Sequence, residues 1–204
     1  MNAGKVYFFG VIAIVVAVLA YTFVFTGKRD TYNEELVKFR AEKNGFFKDA
    51  PDSPIENRTK FDTLSYYPPD QSLRILANIR PIKDTTRLKV GRTDGTSEFF
   101  VRYAYADFQL GGKRNRLLLL KSNEQAKEQQ LFLAFTDKTN GFETYGGGRY
   151  LDLEWEEGKT KITLDFNFAY NPFCAYNSNY SCPLPPTQNH LDIPIRAGEK
   201  EFVK

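Results

Sequence analysis

The chain has one histidine, two cysteines, one tryptophan and one methionine in 204 residues. A structural zinc site draws four ligands from cysteine, histidine and carboxylate, and Cys174, Cys182 and the distant His190 supply three at most. No metal is therefore expected. The same scarcity leaves little for covalent catalysis, since a papain-like centre needs a cysteine beside a His–Asn pair and only Asn189-His190 could furnish one. A thioredoxin-like redox pair would read C-x-x-C at the start of a helix, whereas seven residues separate these cysteines. Charge of one sign is lacking too. The 28 basic and 25 acidic residues are interspersed, for a net charge of +3, without the concentrated basic stripe of a nucleic-acid binder. Internal repeats are absent, and low complexity is confined to Gly146–Gly148. That triplet fits neither the dinucleotide fingerprint nor the phosphate loop and precedes a strand, so no cofactor is expected.

What is present begins with VYFFGVIAIVVAVLAYTFVF, uncharged from Val6 to Phe25. At 1.5 Å per residue such a helix reaches roughly 30 Å, the hydrocarbon thickness of a bilayer. The run is too long for a signal-peptide core and ends in bulky residues, which predicts an uncleaved single-pass membrane anchor. Residues 1–28 are read as a short cytoplasmic tail plus this anchor. Lys28, Arg29, Lys38 and Arg40 outnumber Lys5 and the terminal amine, which by charge alone would hold the following domain inside. That rule weakens for long translocated domains, and the cysteine pair below favours the extracytoplasmic side.

Residues 29–58 read as an amphipathic helix and an irregular linker. Tyr32, Leu36 or Val37, Phe39 and Phe46-Phe47 recur at helical spacing, predicting a helix over 31–44 stopped at Asn44-Gly45. Prolines at 51, 54, 68 and 69 then block regular structure.

From Ser72 the pattern changes to short β-rich runs: SLRILANIR, TRLKVGR, EFFVRYAYADFQL, NRLLLLK, QLFLAFTD, GRYLDLEWE and TKITLDFNF, with HLDIPI as a last strand. Turn-like stretches separate them. The fold class expected for 59–204 is mainly β, a single antiparallel sheet closed as a barrel or folded as a sandwich. A hairpin turning at Glu157-Gly158 would pair Glu154 with Lys161 and put Leu151, Leu153, Trp155, Ile162, Leu164 and Phe166 on one face. Arg149 shares that face. Buried among apolar residues it needs a carboxylate, carbonyls or a ligand. An internal ion pair with Asp137 or Glu143 is one reading. The other is an anion-binding arginine at a barrel mouth, with Tyr145, Glu143, Asp137, Asp165 and Asn167 as further ligand-binding candidates.

The segment NPFCAYNSNYSCPLPPTQNH is read as a strap. Its prolines deny it ladder hydrogen bonds, so side chains must pin it, and Tyr170, Tyr176 and Tyr180 can cover apolar surface while bonding backbone groups. A disulfide between Cys174 and Cys182 is the simplest reading, contributing about 2.5 kcal/mol in the chain-entropy model.

Several of these stretches, SPIENRTKFDTLSYYPPDQSLRI, FTDKTNGFETYGGGRYLDL, LDFNFAYNPFCAYNSNYSCPLPPTQNHL and IPIRAGEK, resemble the successive motifs of the bacterial domain of unknown function 1684 family, over about Phe39 to Lys200. The resemblance implies no established activity. Phe168 departs from it, standing where a basic residue is expected. Two function classes follow. One is a membrane-anchored, extracytoplasmic binding or scaffold module for an envelope protein, a glycan or a small anionic ligand. The other is a hydrolase-like enzyme acting on an anionic small substrate around Arg149.

Overall fold

The structure is a computed structural model describing residues 3–83, 86–121 and 130–203, with side chains in the first helix described at 11–19, at 21 and from 31 onward. The chain divides into two compact units, 1–42 and 43–204.

One helix, α1 (Ala3–Asp49), begins in the first unit and ends in the second. The expected stop at Asn44-Gly45 is not used. Gly45 stays helical, and the turn after it carries Phe46 and Phe47 into an apolar cluster with Ile55, Phe61, Leu64 and Tyr176, a burial that outweighs the roughly 1 kcal/mol cost of a helical glycine. The helix ends where Pro51 disfavours helical backbone at Ala50. Asn44 works as a clasp instead, its Oδ1 accepting from Leu64 N at 2.9 Å. Part of the expected anchor, at 6–10, 20 and 22–25, lies outside the described side chains, as do Lys5, Lys28 and Arg29. Among the described residues no helix is long and apolar enough to cross a membrane.

The second unit is mainly β. Its strands are β1 (Arg74–Pro81), β2 (Arg87–Gly91), β3 (Ser97–Leu110), β4 (Lys113–Lys121), β5 (Gln130–Asp137), β6 (Arg149–Glu154), β7 (Lys161–Asp165) and β8 (His190–Leu191). They run β6-β5-β4-β3-β1-β7 in one antiparallel, nearly closed barrel-like sheet, with β2 added to β3 and β8 to β5.

The predicted faces are correct but the predicted hairpin is not. β6 pairs with β5, Glu154 opposite Gln130, and β7 pairs with β1, Lys161 opposite Asn78. Among the described residues β6 and β7 share no ladder; they are the two edges of the curled sheet. Parity along each strand survives any change of partner, so Leu151, Leu153, Trp155, Ile162, Leu164 and Phe166 all point inward and are buried. They meet Leu117, Leu119, Leu131, Leu133 and Phe135 inside the barrel, each fully buried leucine contributing about 1.5–3 kcal/mol.

Strand β4 reads LLLL without alternation because both its faces are covered. Leu117 and Leu119 face the interior cluster, while Leu118 and Leu120 pack outside with Val90 and Phe100. Between β4 and β5 the ladder is reduced to Leu120 opposite Phe132. A buried side chain fills the gap: Asn189 Oδ1 accepts from Leu118 N at 2.6 Å, and its Nδ2 donates to the carbonyls of Leu118 and Ala134 at 2.9 Å each. The expected HLDIPI strand is correspondingly short. Only His190 and Leu191 pair, parallel to β5, before the chain turns toward the interior.

The last segment is held against Phe166–Ala169. Gly198 has φ +74°, and a Cβ there would lie 2.5 Å from the Ala169 carbonyl oxygen and 2.7 Å from that of Phe166. Only glycine fits both the left-handed backbone and the space. Gly198→Ala is therefore expected to lower stability by more than about 2 kcal/mol, read as a drop in chemical-denaturation midpoint. An unchanged midpoint would show that this contact does not form.

Candidate functional site

Two polar centres and one cleft compete for the role of site. The first polar centre is Arg149, fully buried. Nη2 donates to Asp137 Oδ2 and to the Ile195 carbonyl at 2.8 Å each, and Nη1 donates to the carbonyls of Ala197 and, at 3.2 Å, Glu199. Asp137 is itself saturated, its Oδ1 accepting from Ile195 N at 3.0 Å, Thr139 N at 2.8 Å and Thr139 Oγ1 at 2.7 Å. Both terminal nitrogens are thus spent on the barrel and on the tail 195–199. Only Nε is left without a partner, and it is buried with the rest of the side chain.

The other arginine-centred candidates disperse. Glu143 takes a bidentate grip from Arg196, 2.8–3.0 Å, and a 3.0 Å bond from the Tyr67 hydroxyl. Arg196 chiefly holds that carboxyl below its ordinary value, and burial with this hydrogen bond pushes the Tyr67 hydroxyl up to about 12. Asn167 clamps Asp70 through its backbone N and O, 2.8 Å each, and Asp165 caps the turn at Asn167 N, 3.1 Å. The glycine triplet is not a flexible ligand loop either. Gly148, φ +93°, exists because Pro185 and the Phe135 carbonyl leave no room for a Cβ.

The second polar centre had no sequence signal. Lys43, in the last turns of α1, bonds Glu199 Oε2 at 2.7 Å, and Glu199 Oε1 accepts from the Tyr176 hydroxyl and from Asn171 Nδ2 at 3.0 Å. The ammonium lies 4.7 Å from the Tyr170 ring centroid and 5.4 Å from that of Phe47. Burial lowers the Lys43 pKa against the opposing pull of Glu199, and burial beside Glu199 drives the Tyr176 hydroxyl well above the ordinary phenol value. This network ties the end of the helix to the C-terminal tail. A lysine at helix position 43 and a glutamate five residues from the terminus are indistinguishable from surface charges until both are folded.

The cleft, about 340 Å³, opens where the strap crosses the outer face of the sheet. Outward positions of β5 and β6 supply Gln130, Phe132, Tyr150 and Asp152, β3 supplies Glu98 and Phe100, and Tyr170, Phe173 and Tyr180–Pro183 form the far wall. The rings run in series: Phe100 stacks on Phe132 at 5.6 Å, Phe132 meets Tyr150 edge-on at 4.8 Å, and Tyr150 meets Tyr170 at 5.8 Å. Tyr170 donates to Asp152 Oδ2 at 2.8 Å. Burial and that carboxylate push its hydroxyl well above the ordinary phenol value, so it stays a donor.

Hydrogen bonds pin the strap to the β2–β3 turn, with Leu184 N on Gly91 O at 2.7 Å, Thr93 N on Cys182 O at 3.0 Å and Arg92 Nε on Ser181 Oγ at 3.1 Å. Tyr150 adds a bond to the Pro183 carbonyl. The predicted disulfide is absent: Cys174 and Cys182 are both free thiols. They nonetheless face each other, Cys182 Sγ accepting from Cys174 N at 3.1 Å and Cys174 Sγ from the Tyr145 hydroxyl at 3.6 Å. Hydrogen bonding, first to Cys182, holds the Cys174 thiol down to about 6, while the same contact and burial push Cys182 up. The backbone bonds hold the strap without a covalent link. His190 lies elsewhere, its Nδ1 3.0 Å from Thr136 Oγ1.

If Arg149 locks the tail, Arg149→Met should cost about 3–5 kcal/mol by leaving Asp137 buried and unpaired. Calorimetry is expected to show the melting temperature falling by many degrees, and restored in part in the Arg149→Met/Asp137→Asn double variant. A wild-type melting curve for the single variant would remove the lock.

Comparison with known proteins gives a fold relative without an activity. A solution NMR structure of an uncharacterized protein from Haloarcula marismortui superposes with a TM-score of 0.68, at 36% sequence identity, covering 85% of this chain and 96% of that one. No curated protein matches. The model of the family described as "Protein of unknown function (DUF1684)" matches residues 59–200, which span β1–β8, the strap and the locked tail, and this chain belongs to that family.

Proposed function

We propose that the chain is a membrane-anchored binding module whose ligand occupies the aromatic cleft. The observation that carries this reading is a 340 Å³ cleft walled by a continuous series of rings, a size and character common to small-molecule sites. The cleft is also built from the stretch that identifies the family, since Tyr170, Phe173 and Cys182 lie in DFNFAYNPFCAYNSNYSC.

Binding is favoured over catalysis by the arrangement of reactive groups. The Cys174 thiol has its neighbours in Cys182 and Tyr145, and His190 bonds Thr136 instead. A thiol held low can act without a base, but covalent catalysis also needs a group to protonate the leaving atom, and His190 is not placed beside Cys174 to serve. The anionic-substrate reading around Arg149 loses its arginine to Asp137 and the tail carbonyls.

Anchoring rests on the uncharged run from Val6 to Phe25. Within it Val11, Ile14, Val16 and Leu19 are exposed, and such side chains require apolar surroundings. We put the domain outside the inner membrane because the charge rule weakens for a long translocated domain; the cysteine pair, being unbonded, no longer adds to that reading.

Two experiments test the two halves. Alkaline phosphatase fused after Lys204 should be active in the cell, and an inactive but expressed fusion would put the domain inside. For the cleft, the full chain in bilayer discs is titrated with monosaccharides, alkylammonium salts, carboxylates and phosphate esters while amide resonances are followed. Shifts are expected at Tyr150, Asp152, Tyr170 and Ser181, weakened roughly tenfold in Tyr180→Ala, about 1.4 kcal/mol of lost ring contact. Shifts confined to other surfaces, or none at all, would overturn the module.

A further inference from the structure

Resting on the binding reading, the geometry points to a small organic cation, an alkylammonium or trimethylammonium group, as the ligand of the aromatic cleft. The argument is one of elimination among the polar groups. An anion would need a positive partner, and the nearby cations are already spent. Arg92 donates to Glu98 Oε2 at 2.6 Å, to Ser181 Oγ at 3.1 Å and to the Ser181 carbonyl, while Lys43 is held by Glu199 at 2.7 Å.

A sugar would stack on the rings but needs several free donors and acceptors around its hydroxyls. Here the hydroxyl of Tyr150 is committed to the Pro183 carbonyl, that of Tyr170 to Asp152, and Ser181 and Glu98 to Arg92. Of the cleft's polar side chains only the Gln130 amide and the exposed Asp152 carboxylate remain available, fewer groups than the hydroxyls of a sugar require.

What remains is charge and π-surface. Asp152 is exposed on the cleft and, among the described residues, forms no direct salt bridge; the Lys43 ammonium attracts it only at longer range, from beside the Tyr170 ring. Arg92 is bonded to Glu98 and Lys43 to Glu199, so Asp152 is the one of these three carboxylates without a cation in direct contact. Around it stand Phe132, Tyr150 and Tyr180, whose ring faces carry negative quadrupole potential, and Tyr170, which already has the Lys43 ammonium 4.7 Å from its centroid. A trimethylammonium ion satisfies all of these conditions. It is weakly hydrated, asks for no hydrogen bonds, spreads its charge over methyl groups that pack on rings, and neutralises one carboxylate.

The test compares choline with 3,3-dimethylbutan-1-ol, the neutral carbon isostere of the same shape, on the full chain in discs of phosphatidylglycerol, which lacks choline. Choline should move the amide resonances of Tyr150, Asp152, Tyr170 and Tyr180, and the alcohol should bind about tenfold more weakly or not at all. Asp152→Asn, an exposed substitution that keeps the acceptor for Tyr170, should weaken choline about tenfold and leave the alcohol unchanged. Equal binding of choline and alcohol would overturn the cation and leave the module standing. Silence toward choline, with a saccharide or carboxylate found in the cleft by the wider titration, would do the same. Silence toward every compound would overturn both readings together.

Discussion

The ion pair between Arg149 and Asp137 is the interaction on which the rest of the second unit depends. A guanidinium with no solvent contact can be tolerated only if its terminal nitrogens find acceptors, and here they are a carboxylate and the carbonyls of Ile195, Ala197 and Glu199. The pair therefore does more than neutralise a charge in the barrel. It fixes the path of the tail, which brings Gly198 onto the Phe166 and Ala169 carbonyls and Glu199 onto Tyr176, Asn171 and Lys43.

A second buried polar side chain repairs the sheet itself. The β4–β5 ladder is nearly open, and the amide of Asn189 closes it by bonding backbone groups of both strands. Because Asn189 lies at the end of the strap, the same residue sets where the strap leaves the sheet. The proline-rich segment is then stretched between the tail, Asn189 and the β2–β3 turn. Its passage over outward-facing Phe132, Tyr150 and Asp152 makes the cleft. The cleft is thus a by-product of how an irregular segment is tied down.

The first helix and the barrel obey different rules. The run 6–25 is defined by what it lacks, charge, and that absence is legible residue by residue. The strands are defined by alternation, and where alternation fails, as in LLLL of β4, the reason is a second apolar layer supplied by Phe100 and Val90.

The sequence by itself determined the family, the β class, the strand positions and the inward face that carries Arg149, because side-chain parity and turn residues are local properties of a chain. It also set an ion pair with Asp137 or Glu143 beside an anionic ligand as the readings for Arg149, without choosing among them. Only the tertiary structure decided that β6 pairs β5 and not β7, since both registers bury the same side chains and the choice depends on how the whole sheet curls. Packing of Phe46 and Phe47, not the helix's own signals, carried α1 past Asn44-Gly45. The free thiols of Cys174 and Cys182, the Asn189 bridge, the Lys43–Glu199 network and the ring-walled cleft were equally beyond reach. Apart from the two thiols, eight residues apart, each joins residues distant in the chain, and no local pattern encodes a meeting that depends on where the folded tail comes to rest.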